Sequence, residues 1–147
     1  MNKFIFLLPL FAGIALATQS VINGQLRTVL INPYYTALIS FIVGTIFCAI
    51  IVLLIKQPVA GIHAFSSIAW YKFSGGILGA FVVTAIIISV PKMSTSGLFA
   101  LIVTGQLLTG FLFDTTGLLN VKIFPISIYK ITGALLLVIG AYLINKK

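Results

Sequence analysis

The sequence predicts an all-α integral membrane protein with five transmembrane helices per protomer. Of its 147 residues, 61% are hydrophobic and only 7% are charged, whereas charged residues make up about 25% of a typical soluble domain. The mean hydropathy of +1.25 exceeds what a soluble fold of this size can bury, but a bilayer solvates such surface directly. The apolar runs are continuous and do not alternate with polar residues, which excludes membrane-spanning strands.

Prolines at four positions between apolar runs mark the ends of the predicted helices, because proline starts or stops a helix. They are Pro33, Pro58, Pro91 and Pro125. The predicted spans, each close to the roughly 20 residues that cross a bilayer, are Phe4–Ile22, Tyr35–Ile55, Phe73–Val90, Gly97–Phe113 and Ile126–Ile144. Residues 1–147 are therefore expected to form a single five-helix domain.

The first stretch, MNKFIFLLPLFAGIALATQS, has the basic start, apolar run and A-x-A site of a secretory signal. Apolar character continues past that site to Ile31, however, and no polar mature domain follows. We therefore expect this stretch to be the first membrane helix, with no cleaved signal peptide.

The nine basic residues are scattered singly, which argues against nucleic-acid binding. With five spans, one side of the membrane receives Lys3, Lys56, Lys72, Lys122 and Lys130, and the other Arg27, Lys92, Lys146 and Lys147. Since an excess of Lys and Arg normally sets orientation, this balance suggests insertion either way up. Two copies would then form an antiparallel homodimer, a ten-helix inverted-repeat transporter body. Alternatively, a few dominant charges set one topology.

Four polar residues within or beside the spans are predicted to line a solute pathway. Gln19 and Asn23 share one face near the predicted end of the first span; they contact solute, meet lipid headgroups or bond another helix. Gln106 lies near the centre of the fourth span, where it must face protein or water. Thr84 in the third span is expected to join it.

Two charged residues are candidates for coupling or gating. Asp114, the only carboxylate, lies where the fourth span ends and is expected to bind a proton or cation, pair with Lys122 or Lys130, or meet water. Lys130 lies one turn into the last span, so its side chain either snorkels outward, the favoured alternative, or lines a polar cavity.

Small residues are predicted to permit close helix packing, either within a protomer or between two protomers. They are Gly75, Gly76 and Gly79 in the third span, and Gly133 and Gly140 in the fifth. Enzyme chemistry is not expected, because one acid, one histidine and one cysteine supply neither a catalytic set nor a metal site. No cofactor is expected.

Four segments together resemble the YdcZ-like family of small inner-membrane exporters in the drug/metabolite transporter superfamily. They are GIALATQSVINGQL, SGGILGAFVVTAIIISVPK, IVTGQLLTGFLFDTTGLL and PISIYKITGALLLVIGAYL. The resemblance implies a bacterial inner-membrane protein whose five-helix units pair antiparallel, and it matches Gln19, Asn23, Gln106 and Asp114 to the family's recurring polar positions. Related small multidrug exporters carry a glutamate in the first helix, but this chain has no glutamate, so proton-coupled efflux of cations by that mechanism is not expected.

The sequence thus predicts a transporter that exports a small organic solute by alternating access. Its expected partners are membrane lipids, the solute and a second copy of the chain. Two other functions stay open: a passive ion or solute channel, and a structural or assembly subunit that transports nothing by itself.

Overall fold

The computed structural model describes residues 7–55 and 61–146, which contain helices and connecting segments but no strand. The helices are α1 (Leu7–Leu30), α2 (Pro33–Ile55), α3 (Ser74–Ser89), α4 (Thr95–Thr116) and α5 (Ile128–Asn145). With the short 3-10 segments Trp70–Phe73 and Val90–Lys92 that flank α3, all five are long and apolar enough to cross a membrane. This confirms the all-α class and the five spans. The predicted start at Phe4, and the charges of Lys3, Lys56 and Lys147, lie outside the described residues.

The helices fall into two compact units, residues 1–91 and residues 92–147. In the first unit α1, α2 and α3 each contact the other two. The second unit is an antiparallel pair of α4 and α5. The prediction of one continuous five-helix domain stays a prediction.

Helix α1 continues to Leu30, well beyond the predicted end of the first span at Ile22. The polar residues after Ile22 had indicated the membrane surface, but two of them bond neighbouring helices. Asn23 is bonded to α2 and Arg27 to the end of α3. Because these polar groups have partners inside the protein, they do not end the helix. The prediction that Gln19 lies near a helix end was therefore wrong.

The turn between α1 and α2 is built by the sequence Ile31-Asn32-Pro33. Ile31 has a left-handed backbone (φ 64°), and its N–H donates to the Arg27 carbonyl at 2.7 Å, which ends α1. The Asn32 side-chain oxygen then accepts from the N–H groups of Tyr34 and Tyr35, at 2.9 and 3.2 Å. With Pro33 in the first position of α2, this is a favourable helix start.

Helices α4 and α5 run antiparallel, and caps and one inter-helix hydrogen bond fix their ends. Ser94 and Ser127 cap their N-termini by accepting from the N–H groups of Gly97 and Lys130. At one end of the pair, Asn145 Nδ2 donates to the Gly97 carbonyl at 3.2 Å. At the other end α4 stops at Gly117, whose positive φ of 65° suits a residue without a side chain.

Most of the glycines that were predicted to pack helices have open space around them. A Cβ built at Gly75, Gly76, Gly133 or Gly140 meets no heavy atom of the same unit within 4 Å, and one built at Gly79 only just reaches Phe41. Close packing within a unit is therefore not their role, and the dimer alternative stays a prediction. Close approach occurs instead at Gly24, which faces Val90, and at Gly97.

Replacing Gly97 with alanine should destabilise the α4–α5 pair. The new Cβ would overlap the Asn145 side-chain oxygen and crowd the Ser94 hydroxyl, 2.9 Å away, so it displaces both the inter-helix bond and the N-cap. We expect a loss of about 1–3 kcal/mol in the free energy of unfolding, measured by SDS titration in mixed micelles. Gly105→Ala is the matched control on α4, because nothing lies within 4 Å of its built Cβ. Equal stability of the two variants would contradict the expected contact.

Candidate functional site

The buried residues of α1 are polar, whereas most of its large apolar side chains are exposed. Ser20 and Asn23 are the buried residues of this helix. Ser20 Oγ donates to the Leu16 carbonyl at 2.7 Å, and Asn23 Nδ2 donates to Ser40 Oγ on α2 at 3.3 Å. In hydrocarbon an amide must find a partner, so Asn23 links α1 to α2. Ser40 was not singled out in the sequence, although it is a polar residue inside an apolar run.

Arg27 joins α1 to the end of α3. Its Nη1 donates to the carbonyl of Ile87 at 2.9 Å and also reaches that of Ile88 at 3.4 Å. These carbonyls belong to the last turn of α3, where the helix dipole is negative and carbonyls lack helical partners. Arg27 therefore caps α3.

Gln19 lines an open cleft of about 400 Å³ between α1, α2 and α3. The cleft is completed by Ser40, Phe41, Gly44, Thr45, Cys48 and Val83. Asn23, its predicted neighbour in the pathway, does not line this cleft. The Gln19 amide lies beside the hydroxyl-bearing face of α2, an arrangement suited to hydrogen-bonding a solute.

Thr84 lies in a different cleft of the same unit. Tyr34 at the start of α2 and residues of α3, including Ile77, Phe81 and Ile88, surround this space of about 410 Å³. Thr84 and Gln19 are therefore not brought together.

Gln106 lines a cleft of about 330 Å³ within the α4–α5 pair. On α4 the lining includes Gly110 and Asp114, which follow Gln106 at intervals of four and so share its helix face. On α5 it includes Lys130, Gly133 and Ala134. The open space at Gly110 and Gly133, where a built Cβ meets nothing within 4 Å, gives this cleft its width.

Asp114 and Lys130 meet at the mouth of this cleft. Lys130 Nζ lies 3.5 Å from Asp114 Oδ2, and the two side chains are 41% and 31% exposed. Lys130 is exposed, lines the cleft and contacts this acid, and the favoured alternative that its side chain snorkels outward stays a prediction. Phe124 was not singled out in the sequence. Its ring centroid lies 5.6 Å from Lys122 Nζ and 5.7 Å from Lys130 Nζ.

The two glutamines share an environment that sets them apart from the other polar residues of the helices. Gln19 lies near the middle of the described part of α1, which spans 24 residues, and Gln106 lies at the midpoint of the 22-residue α4. Both are exposed, and neither side chain has a hydrogen-bond partner within residues 7–55 and 61–146. Since lipid offers an amide no partner, each amide needs a polar partner beyond the described residues of its own unit.

Comparisons with known proteins agree with this architecture. The family model described as "Putative inner membrane exporter, YdcZ" matches residues 4–143. The "Inner membrane protein YdcZ" of Escherichia coli (strain K12) is 29% identical over 137 residues, which cover 92% of this chain and 91% of that protein. No solved structure matches the chain. The resemblance seen in the sequence is confirmed.

The native Cys48 should report whether the Gln19 cleft is hydrated. Maleimides react with the thiolate, which forms in water but not in hydrocarbon, so we expect a hydrophilic maleimide to label Cys48 on the order of tenfold faster than a lipid-facing thiol. The comparison is Phe47→Cys combined with Cys48→Ser, since Phe47 is exposed on the same helix but does not line the cleft. Labelling is measured by mass shift in lipid nanodiscs. Equal, slow labelling at both positions would mean that the cleft holds lipid.

Proposed function

We propose that this chain, which belongs to the YdcZ inner membrane exporter family, exports a small organic solute by alternating access as an antiparallel homodimer. The family and the five apolar helices make it a multi-pass protein of the bacterial inner membrane. The family is described as an exporter, not as an enzyme.

The observation that carries the proposal is the pair of unpartnered carboxamides near the middle of α1 and α4. Transporters of the inverted-repeat type bind substrate near the bilayer midplane, and an amide that both donates and accepts can bond many solutes. Each glutamine lies in a cleft of several hundred Å³, the size range of small-molecule sites. A purely structural glutamine would bond a neighbouring helix, as Asn23 does.

The antiparallel dimer is supported by charge and by the glycines. Five basic residues against four give no orientation preference. The helix faces around Gly75, Gly76 and Gly140 are uncovered within their own units, so a second copy can approach their backbones closely. The dimer would relate two five-helix protomers by a two-fold axis in the membrane plane.

Asp114 and Lys130 would act as the gate or coupling pair of the α4–α5 cleft. Their separation of 3.5 Å is longer than the 2.7–2.9 Å of a strong charge-assisted hydrogen bond, and both groups are partly solvated. A pair held this loosely can open and re-form as a solute passes. Asn23 and Thr84 would contribute indirectly, Asn23 by holding α1 against α2 and Thr84 by lining a second cleft.

Changes in the two clefts should reduce transport without unfolding the protein. Proteoliposomes containing wild-type protein are first screened with radiolabelled organic acids, amines and neutral solutes. For a solute that counterflows, we expect Gln106→Ala and Gln19→Ala each to lower the rate roughly tenfold, about the effect of one lost hydrogen bond in a water-poor site. Gly133→Phe should have a larger effect because it fills the α4–α5 cleft.

The control for the filled cleft is Leu136→Phe, which adds aromatic bulk at an exposed position of α5 outside the cleft. It should transport like wild type. Unchanged counterflow in folded Gln106→Ala and Gln19→Ala proteins would show that these residues are not on the pathway. Flux that never saturates with solute concentration and needs no gradient coupling would identify a passive channel instead.

The orientation of the C-terminus tests the antiparallel dimer directly. Reporters active only in the cytoplasm or only outside it are fused after Lys147, and we expect signal from both because the charges are balanced. An impermeant thiol reagent should label Lys146→Cys from both sides in a Cys48→Ser background. Adding two lysines to the loop that follows α4 should shift the population to one orientation. Signal from a single side in the unaltered protein would exclude the antiparallel arrangement.

A further inference from the structure

Two lysines lie beside the Phe124 ring near the mouth of the α4–α5 cleft, and one of them has no acidic partner. Lys130 lines the cleft and contacts the Asp114 carboxylate. Lys122 does not line the cleft, but its Nζ, like that of Lys130, lies beside the ring of Phe124. Asp114 is the only acidic residue in the sequence. No second acidic side chain is therefore available to pair with Lys122.

The two helix ends at this mouth carry the charges that their dipoles disfavour. Lys130 lies in the first turn of α5, where the dipole is positive, and Asp114 lies in the last turn of α4, where it is negative. Neither charge stabilises its own helix. The N-terminus of α5 instead adds to the positive potential of Lys122 and Lys130, and an anion is favoured there.

Behind this charged mouth the cleft is largely apolar. It runs from Asp114 to Gln106, two helical turns or about 12 Å along α4 at about 1.5 Å per residue. Leu107, Phe111 and Ala134 line it, and Gly110 and Gly133 leave it open. A molecule that fits this space has a charged group at one end and an apolar body.

We propose that the α4–α5 cleft binds an amphipathic organic anion, whose carboxylate or phosphate group contacts Lys122 and Lys130. Its apolar body lies along Gly110, Gly133 and Ala134 and points toward Gln106. The anion competes with Asp114 for Lys130. This assigns a substrate class to a cleft of the proposed pathway, and so deepens the proposed function.

Three ligands with the same body test the charge preference: phenylbutyrate, phenylbutylamine and phenylbutanol. Binding to purified full-length protein in an uncharged detergent is measured by isothermal titration calorimetry. We expect phenylbutyrate to bind about fivefold or more tightly than the other two, because two partly exposed ammonium groups contact it. Lys122→Gln and Lys130→Gln should each lower the affinity for phenylbutyrate by about fivefold.

Asp114→Asn distinguishes competition for Lys130 from a structural role, because the two predict opposite changes in the affinity for phenylbutyrate. It breaks the same ion pair as Lys130→Gln, so a purely structural role would make both changes weaken binding. If the anion competes with Asp114, removing that carboxylate should increase the affinity for phenylbutyrate several-fold, whereas Lys130→Gln should decrease it. Lys146→Gln, which removes an equal charge at the opposite end of α5, should change nothing.

Other outcomes overturn the proposal. If phenylbutylamine bound most tightly of the three ligands, and if Asp114→Asn abolished that binding, the cleft would be a cation site. Equal binding of all three ligands, or of none, with no response to the lysine variants would mean that the charges do not form a site. Because binding is measured without transport, unchanged counterflow in Gln106→Ala alongside normal anion binding would refute the proposed pathway and not the anion site.

The anionic group could belong to a soluble acid or to a phospholipid, and native mass spectrometry distinguishes the two. The retention of phosphatidylglycerol relative to phosphatidylcholine is compared in wild type and in Lys122→Gln and Lys130→Gln. Reduced retention in the variants, with competition between phosphatidylglycerol and phenylbutyrate, identifies the lipid headgroup. Unchanged retention with weakened phenylbutyrate binding identifies a soluble acid.

Discussion

The need to satisfy every polar group away from water governs this structure. In hydrocarbon an unpaired amide or guanidinium costs several kcal/mol, so polar side chains in the helices bond their own backbone, as Ser20 does, join helices together or face something polar. Asn23 joins α1 to α2, Arg27 caps α3, and Asn145 joins α5 to α4. These hydrogen bonds link helices within each unit, while many of the large apolar side chains are exposed.

Gln19 and Gln106 are set apart by the same requirement. An amide that lacks a partner at the middle of a helix does not stabilise the bundle, because a leucine there would be better solvated by lipid. Under the proposed function, the two amides contact the solute that passes them. Their clefts lie in two separately compact units. Each unit therefore has its own polar group and its own open space between packed helices.

The sequence predicted the number and type of the helices because apolar length and proline positions suffice for that. It also singled out Gln19, Gln106 and Asp114 as candidates, since polarity inside an apolar run is visible in the residues themselves, and their roles stay predictions. It failed where the outcome depends on partners: Asn23 and Arg27 looked like the end of the first helix but bond neighbouring helices. The sequence could not decide between the two packing roles of the glycines, because a small side chain does not reveal which helix approaches it. Phe124 gave no signal at all, since only the fold brings two lysines to its ring.

A chain with one carboxylate constrains how transport can be driven. Carriers that exchange a proton for a cation need an acid that is free to alternate between them, but here the only acid already contacts Lys130. An anionic solute removes the conflict, because its own charged group can replace Asp114 as the partner of Lys130, and Asp114 returns when the solute leaves. Lys130 is then never left without a partner during the cycle, which lowers the barrier to both entry and release. In such a scheme the excess of basic residues in the chain serves to bind an anionic solute, and does not only attract the membrane surface.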